Sequence, residues 1–283
     1  MYKKLVETHA ILTHDLTKDF GNIRAVNSLN LKIPYGKTYG LLGPNGAGKT
    51  TTVRILNAII SETSGNASVG GYDIITESQK VKMICGFLPE SPGLYSKLTA
   101  REFLEFIGEL YYLPKDVIST RINELLELFD LEGRANDLLE GFSRGMKQKV
   151  CLCAALIQDP EIIFLDEPTS NLDPAAARIV KDLISELVKK ADKTVFICTH
   201  LLDTAEGLCD IIGIIIDGEL KVEGTPKEIM ESVGAKSLEE AYLKITGASH
   251  IEDLLAWRDE NSNNHKYDNN KQRKRKKKNK KSR

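Results

Sequence analysis

Short apolar runs alternate with helical patterns along most of the chain. Thr38-Tyr39-Gly40-Leu41-Leu42, Ile162-Ile163-Phe164-Leu165 and Val195-Phe196-Ile197-Cys198 are continuous and of strand length, the pattern of strands covered by helices on both faces. Their alternation with helical segments predicts an α/β fold. Between about residues 93 and 159 the strands stop. Thr99-Ala100-Arg101-Glu102 reads as a capping box, and Phe103, Phe106, Ile107 and Leu110 follow at helical spacing. Pro114 should end that helix. Ile118, Ile122, Leu125, Leu126 and Phe129 predict another, closed by Gly133. A helical insertion therefore interrupts the α/β pattern. Further on, Asp217-Gly218 sits between Ile214-Ile215-Ile216 and Leu220-Lys221-Val222, a hairpin signal. Short helices are expected near 226–232 and 237–246. From about Asn261 almost nothing is apolar, which predicts disorder.

Composition narrows the picture. Apolar residues make up 41% of the 283, ordinary for a globular protein. No apolar run approaches the roughly 18 residues that a membrane-spanning helix needs. The first residues lack a signal-peptide pattern, so the chain is expected to stay in the cytosol. Cys85, Cys151, Cys153, Cys198 and Cys209 form no CxxC pair and sit among apolar neighbours. Buried reduced thiols are expected rather than a metal site or disulfides. The net charge of −1 conceals a division: residues 266–283 carry +10, the remainder −11. A block of like charge is either a solvated arm or an interaction tail.

The chemistry begins at Gly43-Pro44-Asn45-Gly46-Ala47-Gly48-Lys49-Thr50, followed by Thr51. The segment follows a predicted strand and precedes a helical pattern, as the phosphate-binding loop requires. Glycines let successive N–H groups turn inward around an anion, and the helix start adds partial positive charge. Lys49 can reach the β- and γ-phosphates, and the Thr50 hydroxyl can hold magnesium. Chance would produce such a pattern on the order of once in a hundred chains of this length. Downstream, Asp166 and Glu167 end a buried strand. Alone, such a pair is more often loop polarity or a helix cap. With the loop, Asp166 is a magnesium ligand and Glu167 the group that polarises the attacking water. His200 ends the third strand in the same way. All three motifs begin where a parallel strand finishes, the edge at which open α/β sheets bind ligands.

The order of these elements resembles the ATPase domain of ABC transporters over about residues 8–247. The resemblance implies a P-loop NTPase core with a mostly parallel sheet, an N-terminal antiparallel β portion and an inserted helical subdomain. The core would comprise 1–92 and 160–224, the signature subdomain 93–159, a helical extension 225–260, and a disordered basic tail 261–283. Phe142-Ser143-Arg144-Gly145-Met146 occupies the place of the family signature, which contacts ATP held by the other subunit of a head-to-tail dimer. Ser143, Gly145 and Met146 would make that contact. Ser143 also reads as a plain N-cap. The common Leu-Ser-Gly-Gly-Gln is altered here, losing the second glycine and the amide.

Glu90 stands where the family usually has a glutamine that contacts magnesium. Either side chain offers oxygen, and an exposed loop carboxylate is the plainer reading. Asp173, in Ser170-Asn171-Leu172-Asp173, corresponds to the loop that crosses the dimer interface, and Asp173-Pro174 is also a good helix start. Phe20 takes the place of the aromatic that stacks on adenine, although a core or loop phenylalanine fits as well. Ser143 to Lys149, Gly93-Leu94-Tyr95 and Leu238 to Leu243 look like the drug- and sodium-exporting branch, where the permease is a separate chain.

The resemblance implies ATP hydrolysis with Mg²⁺ by two copies of the chain at the cytoplasmic face of a membrane. The permease would dock beside Glu90 and the helical insertion, and the basic tail would contact anionic lipid. The rival class is a soluble ABC ATPase acting on ribosomes or nucleic acid, for which the tail is the best support.

Overall fold

The computed structural model describes residues 8–91 and 93–247; the basic tail and residues 248–260 lie outside them. Two sheets organise the chain. The first is antiparallel and contains β1 (His9–Phe20), β2 (Ile23–Leu29), β3 (Lys32–Pro34), β5 (Ser64–Val69) and β6 (Tyr72–Asp73), with β1 paired to β2, β3 and β5. The second contains β4 (Thr38–Leu42), β7 (Cys85–Leu88), β8 (Ile162–Asp166), β9 (Thr194–Thr199), β10 (Ile211–Ile216) and β11 (Glu219–Gly224). Its order is β11-β10-β4-β9-β8-β7, parallel throughout except for the β10–β11 hairpin.

The continuous apolar runs follow from burial on both faces. Along β8, Ile163 and Leu165 enter one hydrophobic cluster, while Ile162 and Phe164 enter the other. Neither face meets water, so no polar alternation is needed. Helix α1 (Lys49–Leu56) sends Val53, Ile55 and Leu56 into the cluster that also holds Ile11, Val69 and Phe196. It thus lies between the two sheets. Helix α2 (Ser78–Ile84) sends Val81 into the same cluster and leads into β7. On the other face, α3 (Ala100–Leu110), α4 (Lys115–Leu128) and α5 (Arg144–Leu156) form the insertion. Their Leu104, Ile122 and Leu152 share a cluster with Leu165 and Ile197 of the sheet. The insertion therefore has no core separate from the sheet. Helices α6 (Pro174–Ala191), α7 (Leu202–Leu208), α8 (Pro226–Ser232) and α9 (Leu238–Thr246) complete the chain, with Ile229, Leu238 and Ala241 joining that same cluster.

Local signals took the expected form at several boundaries. Thr99 and Glu102 make a reciprocal capping box at the start of α3. Asp217 and Gly218 both adopt positive φ, +50° and +80°, as a two-residue hairpin with primed-turn geometry demands. Gly133 corrects an expectation. It does not close α4; that helix ends at Leu128 with Phe129 as its C-cap, and Asp130 turns into the left-handed region at φ +54°. Gly133 instead lies in a short 3-10 turn, Glu132–Arg134. Pro114 precedes α4 and opens it. All five cysteines are buried free thiols, and burial pushes Cys151 and Cys209 up to about 12.

Candidate functional site

The loop between β4 and α1 turns on two glycines with positive φ, Gly46 at +83° and Gly48 at +104°. Gly48 is also sterically required: a Cβ there would sit 2.3 Å from the Ala25 carbonyl oxygen. The tip of the β10–β11 hairpin buttresses the loop. Gly218 N–H donates to the Ala47 carbonyl at 3.0 Å, and the Gly218 carbonyl accepts from Asn27 N–H at 2.9 Å. The phosphate loop is thus held between the antiparallel sheet and the far hairpin.

A cleft of about 300 Å³ opens above this loop. It is lined by Asn45 to Thr51, by Glu90, Asp166 and Glu167, and by Ala25 of β2. Lys49 is 7% exposed, and its ammonium donates to the carbonyls of Gly43 at 2.7 Å and Pro44 at 3.1 Å. The ammonium therefore lies folded against its own loop. The Thr50 hydroxyl donates to Asp166 Oδ2 at 2.8 Å. Asp166 is 1% exposed. Burial pushes its carboxyl above the usual range, partly offset by the Thr50 hydroxyl and Lys49, while Glu90 and Glu167 push it further up.

Glu167 follows at φ +53°, an uncommon conformation for a side chain of this type. Its backbone is held tightly. Its N–H donates to the Cys198 carbonyl at 2.9 Å, and its own carbonyl accepts from Ser170 N–H, the Ser170 hydroxyl and Gln148 Nε2. Its carboxylate turns toward the end of β9. Oε1 accepts from His200 N–H at 3.0 Å and lies 2.8 Å from His200 Nδ1, while Oε2 accepts from the Thr199 hydroxyl at 3.1 Å.

Of the residues singled out from the sequence, Asn45 to Thr51, Glu90, Asp166 and Glu167 line one cleft. His200 reaches it through Glu167. Gly43 and Pro44 take part through their carbonyls. Phe20, Ser143, Gly145, Met146 and Asp173 do not line it. Ser143 caps α5, accepting from Met146 N–H at 3.2 Å, and Asp173 caps α6, accepting from Ala176 N–H at 2.9 Å. The two caps are neighbours through Gly145, where a Cβ would sit 3.0 Å from the Asn171 carbonyl oxygen. They form a second surface; at the α6 start Pro174 has no N–H and Asp173 holds those of Ala175, Ala176 and Ala177. Phe20 is half exposed at the end of β1, with the Lys18 ammonium 5.1 Å from its ring centre. The same hairpin carries Ala25 into the cleft.

Sequence reasoning missed Ala25, Gln148 and Gly218, whose contributions come from contacts far apart along the chain. Among the described residues no three His, Cys, Asp or Glu side chains are arranged to cage a metal. The donors beside the loop are all hard oxygens, from Thr50, Asp166 and Glu90. That set suits magnesium, which is commonly held by one or two carboxylates together with substrate phosphates.

The family profile described as ABC transporter matches residues 26–170. The chain is 35% identical over 249 residues to the linearmycin resistance ATP-binding protein LnrL of Bacillus subtilis (strain 168), covering 85% of this chain and 80% of that protein. It is 38% identical to the bacitracin transport ATP-binding protein BcrA of Bacillus licheniformis, covering 81% and 74%. A solved ATP-binding subunit of an ABC transporter superposes with a TM-score of 0.79 at 30% identity, over 84% of this chain and 99% of that one. A dimeric ATP-binding cassette in a post-hydrolysis state with ADP and Pi gives 0.71 at 28% identity, over 76% and 98%.

Proposed function

The chain belongs to the ABC transporter family of ATP-binding proteins, and from that membership we propose how its own residues bind and hydrolyse ATP. It is the ATP-hydrolysing subunit that powers a transporter. The observation that carries the mechanism is the convergence of the phosphate loop, Asp166 and Glu167 on one cleft.

In this reading Asn45 to Thr51 cradle the phosphates with their N–H groups, and Lys49 leaves the Gly43 and Pro44 carbonyls for the β- and γ-phosphates. Thr50, Asp166 and Glu90 would hold a magnesium ion, which when bound neutralises phosphate charge. Glu167 takes the developing proton of the attacking water, and His200 orients its carboxylate. Phe20 stacks on adenine. Ser143, Gly145, Met146 and Asp173 complete the site of a second copy of the chain, head to tail, so that two ATP molecules lie between two subunits. Two features support the trans role: these residues share a surface apart from the cleft, and a similar cassette is a dimer. Residues 93–159 then act as the signature-bearing arm of a core formed by 1–92 and 160–224, with 225–260 as an extension.

The membrane partner is a separate permease, and we place its docking site in a groove of about 590 Å³ between the core and the insertion. Phe87, Pro89, Phe103, Ile107 and Leu110 line it next to Glu90, and Met83, Ile59 and Leu110 are 44–56% exposed there, an apolar patch suited to a protein partner. No helix among the described residues is long and apolar enough to cross a membrane. The subunit sits on the cytoplasmic face beside its permease. The relatives named above serve antibiotic resistance and transport, which favours export over the ribosome or nucleic-acid reading. The +10 tail contributes contact with anionic lipid, at about 1 kcal/mol for each basic residue near the surface.

Phosphate release measured with and without magnesium tests the mechanism. Activity should require the ion, and undiminished hydrolysis after chelation would overturn it. Liposome sedimentation of the full chain and a version ending at Asn264 tests the tail. Equal binding of both to anionic vesicles removes the lipid role.

A further inference from the structure

Thr199 ends β9 and is completely buried. Its hydroxyl makes two hydrogen bonds of opposite sense. Leu201 N–H donates to it at 3.0 Å, and it donates to Glu167 Oε2 at 3.1 Å. A hydroxyl has a single proton. Because the Leu201 amide can only donate, that proton is left for the carboxylate, and the direction of the bond is fixed.

The rest of Glu167 is already constrained. Its main chain is tied by Cys198, Ser170 and Gln148. Oε1 faces two donors, both from His200, whose side chain is 55% exposed. With Oε1 alone secured, the carboxylate could still pivot about that oxygen. The buried Thr199 hydroxyl holds the other oxygen and stops the pivot. A rigid, water-free donor is better suited to this than the half-exposed imidazole.

We propose that Thr199 is a positioning residue for ATP hydrolysis: its hydroxyl, oriented by Leu201 N–H, sets the plane in which the Glu167 carboxylate meets the attacking water. The proposal rests on the assignment of Glu167 as the group that takes the water's proton. Thr199 is fully buried and does not line the cleft, so it acts only through Glu167. Catalysis is sensitive to small displacements of such a group, with misplacement by about 1 Å costing on the order of a hundredfold.

The test compares full-length Thr199→Val, nearly the same shape without the hydroxyl, with Thr199→Ser, which keeps it. Thr199→Val should lower kcat about tenfold or more while KM for ATP stays within about twofold. Its dimer should persist longer in ATP plus magnesium on size-exclusion chromatography. Thr199→Ser should stay within about threefold of the unmodified chain, a rescue that a packing role would not give. If Thr199→Val does not fold, Thr199→Ala carries the same expectation. Three outcomes overturn the proposal: unchanged turnover in Thr199→Val, a Thr199→Ser as slow as Thr199→Val, or a loss that appears in KM. Glu167→Gln measured alongside separates the two ideas. Normal turnover there refutes the Glu167 assignment, whereas an inactive Glu167→Gln with a fully active Thr199→Val refutes Thr199 alone.

Discussion

Glu167→Gln separates chemistry from folding, because the surrounding hydrogen bonds can absorb most of the change. The carboxylate accepts three bonds, two from His200 on Oε1 and one from Thr199 on Oε2. A glutamine oxygen in the Oε1 place keeps both His200 contacts. Its NH₂ group then faces the Thr199 oxygen, which already accepts from Leu201 N–H and has a second lone pair. That bond reverses direction, and the buried Thr199 proton gives up its carboxylate acceptor. The stability cost should therefore be about 1–3 kcal/mol, that of one buried donor left without an acceptor. Catalysis has no such substitute, since an amide cannot take a proton from water. Loss of a general base costs about 10²- to 10⁴-fold, or roughly 2.7–5.4 kcal/mol of barrier. The catalytic effect should exceed the structural one. Phosphate release, thermal melting and ATP-dependent dimerisation on one preparation measure all three quantities. Turnover within tenfold of the unmodified chain, or a melting shift large enough to explain the lost activity, would refute the reasoning.

Two further outcomes follow from the same cleft. If Glu90 supplies only an oxygen ligand, Glu90→Gln should keep hydrolysis within about tenfold, roughly 1.4 kcal/mol; a hundredfold loss in phosphate release would mean that its charge is needed. Asp166→Asn should abolish magnesium-dependent hydrolysis yet raise the melting temperature of the nucleotide-free chain near neutral pH. Burial raises the folded-state pKa of Asp166, so its contribution to stability is present below the unfolded carboxyl range and lost as pH rises through the raised value. The gain should shrink as the pH falls toward that range, and a melting temperature below the unmodified chain's at neutral pH would contradict the account.

Much of this architecture was legible because its signals are local. The Thr99–Glu102 box, the Asp217-Gly218 turn and the apolar runs of β4, β8 and β9 each lie within a few residues, and each took the expected form. Ser143 and Asp173 could be read as helix caps for the same reason. Gly133 misled because a glycine after an apolar pattern is a common helix stop, whereas here Asp130 reaches the left-handed region first. What stayed hidden is long-range. Nothing near Ala25 says that its carbonyl will press on Gly48, nor near Gly218 that it will brace Ala47. Gln148 reads as an ordinary helical residue, yet it is 1% exposed and holds the Glu167 carbonyl. Such contacts depend on how the sheets and the insertion meet, which no periodicity encodes.

The central claim is that each ATP site is composite, with Lys49 from one subunit and Ser143 from the other. Subunit mixing tests it directly. Lys49→Ala removes the ammonium from the phosphate loop. Ser143→Asp keeps the α5 cap, since aspartate is a favourable N-cap, but sets a negative charge against the γ-phosphate. Each variant alone should be inactive. In a dimer of one of each, a composite arrangement leaves one site with both defects and the other with none. The mixture should therefore recover phosphate release, up to about a quarter of the unmodified rate if half the dimers are mixed and the intact site works alone. Sites built within a single chain would leave no intact copy in any dimer, and a mixture as inactive as its two parents would contradict the composite site.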